Sequence, residues 1–203
     1  MSISGTINRE HLRQLGEEQN VRFRIQDKWN EEKYLSEVTV RGYELCEGKL
    51  ERLPIRTELH QDILLFLLRA LLALVEPHKL GKVQFAGLRV RTKPGKIREP
   101  DIVFILTQHF GRRSNNSWEG ADLAMEVVST DDPARDWDVK RQEYAQAGIR
   151  EYWIVDPQKG SITVFVLKDG VYEVYGEFKQ GTRAASVLLN GFSVDVAAAL
   201  KPE

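Results

Sequence analysis

Glu126 interrupts an otherwise apolar run, Leu123-Ala-Met-Glu-Val-Val128. A carboxylate inside such a strand pays several kcal/mol of desolvation unless a cation or a metal compensates it. A second carboxylate, Asp101, follows Pro100 and opens another apolar run that ends at Leu106. Two strands that each deliver one acid suit a hard divalent ion such as Mg²⁺, which takes oxygen ligands and keeps several of its waters. The same residues admit a plainer reading, in which Glu126 pairs with a buried Arg or Lys and does nothing else. Further along, Asp136, Lys140 and Tyr144 stand at i, i+4 and i+8 and so share one helix face. A helix that follows a strand folds back over the sheet, which brings Lys140 within reach of Glu126. One ammonium, two carboxylates and a metal would together stabilise the charge that develops when water attacks a phosphodiester. Alternatively, the face is solvated and holds only an Asp136–Lys140 pair.

The elements that must position these groups are legible from patterning. The runs Asp101–Leu106 and Leu123–Val128 are continuously apolar, as expected of central strands buried on both faces. A helix is predicted from Glu58 to Glu76, with Thr57 as N-cap and Pro77 just past its end. Its apolar residues occupy nearly the whole circumference, which predicts packing on several sides, including against a second subunit. Asp132 as N-cap, Pro133 at the first helical position and Gly148 as stop frame the helix that carries Lys140. Short strands are expected either side of Glu47-Gly48, at Val83–Phe85, at Leu88–Arg91 and at Tyr152–Val155. A hairpin, Ser161–Val166 with Val171–Tyr175, turns at Asp169-Gly170. Gln108–Gly120 reads as a mobile polar loop, and Phe192–Leu200 as a strand or short helix that packs back. Residues 1–36 read as a polar appendage with helices near Arg9–Glu18 and Glu31–Val38, and 37–203 as one α/β domain on a mixed sheet.

Composition excludes several classes. The chain has 203 residues, 42% of them hydrophobic and 29% charged, which is a globular balance. Its single cysteine, Cys46, leaves no internal disulfide and no Cys-cluster zinc site. A formal net charge of −1 rules out a general basic coat for nucleic acid. The greasiest stretch, Ile63–Val75, is broken by Arg69 and falls short of a bilayer crossing, and no export signal is visible, so a cytoplasmic location without membrane contact is expected. The four histidines lack metal-ligand spacing, and no Ser-His-Asp order, P-loop or dinucleotide fingerprint occurs.

Four ordered blocks carry a resemblance: Pro100-Asp101; Ala121-Asp-Leu-Ala-Met-Glu-Val-Val-Ser129; Arg135-Asp-Trp-Asp-Val-Lys-Arg-Gln-Glu-Tyr-Ala-Gln-Ala-Gly148; and Glu151-Tyr-Trp-Ile-Val-Asp-Pro157. In these, with Tyr43-Glu-Leu, the His60 region and Lys96-Ile-Arg-Glu-Pro-Asp101 upstream, the chain resembles the Uma-two family of the PD-(D/E)XK nuclease superfamily over roughly residues 34 to 200. The resemblance implies a restriction-endonuclease-like core, a central mixed sheet flanked by helices, and a Mg²⁺- or Mn²⁺-dependent endonuclease acting on DNA. Asp101 matches the motif aspartate and Glu126 the motif acid. The motif lysine belongs two residues after Glu126, where this chain has Val128, and Lys140 matches the position from which the family recovers it. Either Glu58 or His60 matches the superfamily's auxiliary residue. Ala121 stands where the family usually has proline. The resemblance also leans toward a homodimer, with one site for each strand of a duplex.

On this reading the phosphate backbone would be met by local clusters flanking the acidic strands, Lys93, Lys96 and Arg98 on one side and Arg112, Arg113, Arg135 and Arg141 on the other. A nuclease-like fold kept for binding or assembly, with little cleavage, is the alternative that Val128 and the missing basic coat favour.

Overall fold

The computed structural model describes residues 28–37 and 42–202. The helix expected near Arg9–Glu18 lies outside these residues. The principal sheet has six strands in the order β11-β10-β9-β8-β6-β3. They are β3 (Gly81–Phe85), β6 (Ile102–Leu106), β8 (Leu123–Val127), β9 (Glu151–Asp156), β10 (Ser161–Lys168) and β11 (Val171–Lys179). All neighbours are antiparallel except β8 and β9, whose parallel pairing requires the crossover that carries Lys140. Five shorter strands form a second sheet in the order β2-β1-β5-β4-β7. These are β1 (Tyr43–Cys46), β2 (Lys49–Arg52), β4 (Val90–Lys93), β5 (Lys96–Arg98) and β7 (Trp118–Glu119). A small pair, β12 (Arg183–Ala185) with β13 (Ser193–Asp195), completes the β structure of the described residues.

The central strands alternate as the period of two demands. Leu123, Met125 and Val127 of β8 join Ile102 and Phe104 of β6 in a core packed against a long helix, while Ala124 faces the opposite side with Val103, Ile105, Tyr144 and Ile154. Glu126 shares that opposite face. The long helix follows the short helix α1 (Glu31–Ser36) in chain order and is α2, Glu58–His78. Thr57 caps it as expected, its Oγ1 accepting from the His60 N–H at 3.2 Å. The helix absorbs Pro77 in its last turn and ends at Lys79, which takes the left-handed conformation at φ 52°. Ile63, Leu64, Leu67, Leu71 and Val75 form its buried stripe, whereas Leu65 remains 42% exposed.

Other boundaries differ for identifiable reasons. The 108–120 segment is not a simple mobile loop: Thr107–Arg112 forms a 3₁₀ helix, and Trp118–Glu119 pairs in parallel with Val90 and Arg91 because Trp118 fills a place in the second core. Strand β5, too short to announce itself, joins the hairpin β1–β2 to β4. Residues Trp29 and Tyr34, expected in an appendage, are buried with Leu45, Leu50 and Ile97 in a third cluster. The turn at Asp169-Gly170 has both residues at positive φ, 47° and 82°, as a two-residue hairpin requires. The tail supplies both expected forms, β13 and then the short helix Val196–Leu200. No helix among the described residues is long and apolar enough to cross a membrane.

Candidate active site

The antiparallel register pairs Phe104 with Leu123, Val103 with Ala124 and Ile102 with Met125. Continued by one residue, it sets Asp101 opposite Glu126, on one face of neighbouring strands. The Val127 N–H donates to Asp101 Oδ2 at 2.9 Å, which locks the aspartate against β8. Arg56 lies 3.0 Å from Asp101 Oδ1, and His60 Nε2 lies 3.0 Å from Oδ2. Of the two candidates, it is thus His60, from the first turn of α2, that touches the aspartate, while Glu58 is solvent-exposed. Arg56 carried no sequence signal, because its role depends on a contact with a residue 45 positions away.

Lys140 closes the cluster from the other side. Its Nζ is 2.9 Å from Glu126 Oε2 and 3.0 Å from Asp136 Oδ1, and the Tyr144 hydroxyl donates to Glu126 Oε1 at 2.6 Å. The spacing of Asp136, Lys140 and Tyr144 did put them on one face, but their backbone is not a regular α-helix. Arg135–Lys140 forms a π-helical turn that runs into the helix α3, Arg141–Gln146. Such widened turns occur often at functional sites. The Asp132 side chain does not cap this turn; its backbone carbonyl accepts from the Arg135 N–H. Val128 is buried on the Glu126 side of β8, in the cluster that contains Tyr144, so the place of the strand lysine is filled by core.

Burial governs the electrostatics. It pushes the Glu126 carboxyl from 4.5 up to about 8, and Asp101 and Asp136 add to the rise against the pull of Lys140. Burial alone would raise Asp101 as well, but His60, Lys140 and Arg56 outweigh it and hold that carboxyl below the usual range. Burial raises Asp136, and its Oδ1 lacks a well-aligned hydrogen bond despite the nearby ammonium. Lys140 is driven above the ordinary lysine range: burial opposes its charge, yet Asp136, Glu126, Glu44 and Asp101 more than restore it. Among the described residues no group of three or more His, Cys, Asp or Glu is arranged to enclose a metal ion. Asp101 and Glu126 are nonetheless two carboxylates facing each other on neighbouring strands, and an ion of the Mg²⁺ type would need only one or two. The cavity beside them is about 30 Å³ and lined by Arg56, His60, Asp101, Glu126, Asp136 and Lys140. By the usual measure it has room for about two waters or a small ion with one.

Not every basic residue expected to meet phosphates is free to do so. Arg98 is wholly buried, with its guanidinium bonded to Glu44, Glu51 and Glu143. Lys96 Nζ donates to Glu143 at 2.6 Å, and Arg135 reaches Glu44 and Glu51 while also lining the acid cavity. Arg98 and Lys96 thus serve internal ion pairs, a placement that their loop-like sequence setting concealed. Arg112 and Arg113 are exposed, with Arg113 stacked over Phe110.

A family model described as "Uma2: Putative restriction endonuclease" matches residues 33–197. The chain belongs to the Uma2 family. The Uma2 match spans the acid cluster, the π turn and both central strands, and it begins within α1. A solved structure from Anabaena variabilis ATCC 29413, titled as a "putative nuclease belonging to DUF820", superposes with a TM-score of 0.70 at 16% identity, covering 85% of this chain and 97% of that one. At that identity the likeness establishes a shared fold. A search of curated proteins returned no match.

Proposed function

We propose that this Uma2 protein is a divalent-metal-dependent endonuclease that hydrolyses nucleic-acid phosphodiesters, with DNA as the substrate. The observation that supports this most is the 2.9 Å approach of Lys140 to Glu126, which returns an ammonium to the acid pair from the helix side while Val128 occupies the strand position. Asp101 and Glu126 would hold Mg²⁺ or Mn²⁺, which when bound supplies Lewis-acid polarisation of a phosphoryl oxygen and a more acidic water. Lys140, kept protonated by its carboxylate neighbours, is unsuited to be a general base. It orients the attacking water and offsets negative charge on the phosphoryl oxygens. Tyr144 fixes the rotation of the Glu126 carboxylate, and His60 with the Val127 N–H fixes that of Asp101. Exposed Arg112 and Arg113 would take backbone phosphates beyond the site.

The test is cleavage of a supercoiled plasmid and a single-stranded circle in Mn²⁺, Mg²⁺ or EDTA. Metal-dependent nicking that disappears in Asp101→Asn supports the reading; turnover unchanged by EDTA or by that variant contradicts it. A second reading, a nuclease-like domain retained for binding or assembly, rests on the observation that every oxygen of Asp101 and Glu126 already has a protein partner. We further propose a homodimer that covers the outer face of α2 around Leu65 and Phe66. A solution mass that stays monomeric at micromolar concentration would count against it.

A further inference from the structure

A second cavity, about 150 Å³, adjoins the acid cavity and shares His60, Val127 and Ser129 with it. It lies at the carboxyl ends of β8 and β9, the parallel pair of the main sheet, which is where open α/β sheets bind their ligands. The amino end of the 21-residue helix α2 forms another wall through Thr57, Leu59 and His60, with its positive dipole end. Ile55, Leu59, Val128 and Pro157 make most of the lining apolar. Two of these large side chains are left in solvent, Ile55 at 76% and Leu59 at 46% exposure.

His60 links the two cavities. Asp101 accepts at Nε2, whereas Nδ1 is buried with no partner. Exposed Gln158 adds an amide at the rim.

We infer that this cavity is a nucleoside subsite, which receives the base and sugar next to the scissile phosphodiester. That the ligand is a nucleoside rests on the nuclease reading. The apolar walls suit the faces of a base, and Ser129 and Gln158 suit its polar edge or the sugar hydroxyls. The shared wall puts the attached phosphate toward the acids. A nucleoside seated at the strand ends cannot remain stacked and paired in a continuous duplex. The substrate is therefore locally unpaired at the cut, the condition under which extruding a base is least costly.

The test uses the full chain in EDTA. Saturation-transfer NMR with the four deoxynucleosides and the four ribonucleosides reports pocket occupancy without any cleavage. Anisotropy compares a labelled single-stranded oligonucleotide with the same sequence as a blunt hairpin. The expected result is saturation of base protons, at least tenfold tighter binding of the single strand, and at least tenfold weakening of nucleoside binding in Leu59→Trp or Ile55→Trp, both exposed positions at which a larger ring fills the cavity. Nucleosides that show no transfer at millimolar concentration, or that bind equally in both filled variants, overturn the subsite. A protein that binds nucleosides but never cleaves in Mn²⁺ retains the pocket and loses the nuclease reading; one that cleaves yet ignores nucleosides does the reverse.

Discussion

Two buried charge clusters draw on the segment that carries Lys140, and they are balanced in opposite ways. Around Arg98, carboxylates from β1, β2 and α3 meet Arg98, Lys96 and Arg135. There Glu44 is pulled down to about 2, because Lys140, Arg98 and Arg135 overcome the penalty of its burial. Around Lys140, burial and two neighbouring acids leave Glu126 pushed up to about 8. The first cluster has the cations its carboxylates need, and the second is short of positive charge. Similar burial therefore leaves Glu44 held ionised in one place and Glu126 with a raised pKa in the other, and the local charge balance tells them apart.

The largest expected effect comes from unbalancing the satisfied cluster. Arg98→Met strands Glu44 and Glu143 without their shared guanidinium, and should cost ~3–5 kcal/mol in denaturant unfolding, as removal of one partner from a buried ion cluster does. Adding Glu44→Gln and Glu143→Gln should return much of that loss. If Arg98→Met alone is neutral, the cluster is not the scaffold described here. Next is Lys140→Ala, which should lower metal-dependent cleavage by about 2.7–4 kcal/mol in barrier, or roughly 10²–10³-fold. Val128→Lys in that background should recover part of the activity from the strand side, and a Lys140→Ala protein that cleaves like the parent removes the migrated lysine from the mechanism.

Acidity separates the clusters by sign. Glu44 has its folded pKa below the ordinary 4.5, so its contribution to stability is present above pH 4.5 and is lost as pH falls toward about 2. Glu126 has its folded pKa above 4.5, so the folded protein keeps a proton that the unfolded chain has released. In metal-free buffer that contribution is greatest below pH 4.5 and is lost as pH rises toward about 8. Thermal melts from pH 4.5 to 8 in EDTA should show the parent destabilised with rising pH and Glu126→Gln with a flatter profile. Identical slopes would mean that Glu126 is ionised and adequately paired without metal.

Much of the acid cluster was legible because its determinants are local. A carboxylate in an apolar run marks Glu126, Pro100 marks the entry of Asp101 into its strand, and spacing alone groups Asp136, Lys140 and Tyr144. Thr57 was readable as a cap for the same reason. The arginine cluster was not legible, since Arg98 meets Glu44, Glu51 and Glu143 across separations of about 45 to 54 residues. Nothing in Lys96-Ile-Arg98 distinguishes a buried ion pair from a solvated basic loop. The π turn has no composition signal, and Trp118 shows how one large apolar side chain draws a polar segment into the sheet.

The most direct measurement is calorimetric titration of Mn²⁺ into the parent, Asp101→Asn and Glu126→Gln, with each variant's fold checked by circular dichroism and thermal melting. The charge-deficient cluster predicts a Mn²⁺ site in the parent and its loss in both variants, with the fold retained and, for Glu126→Gln, metal-free stability at pH 8 equal to or above the parent's. A parent that binds no Mn²⁺, together with variants that unfold, would contradict the account and make Glu126 and Lys140 a structural ion pair.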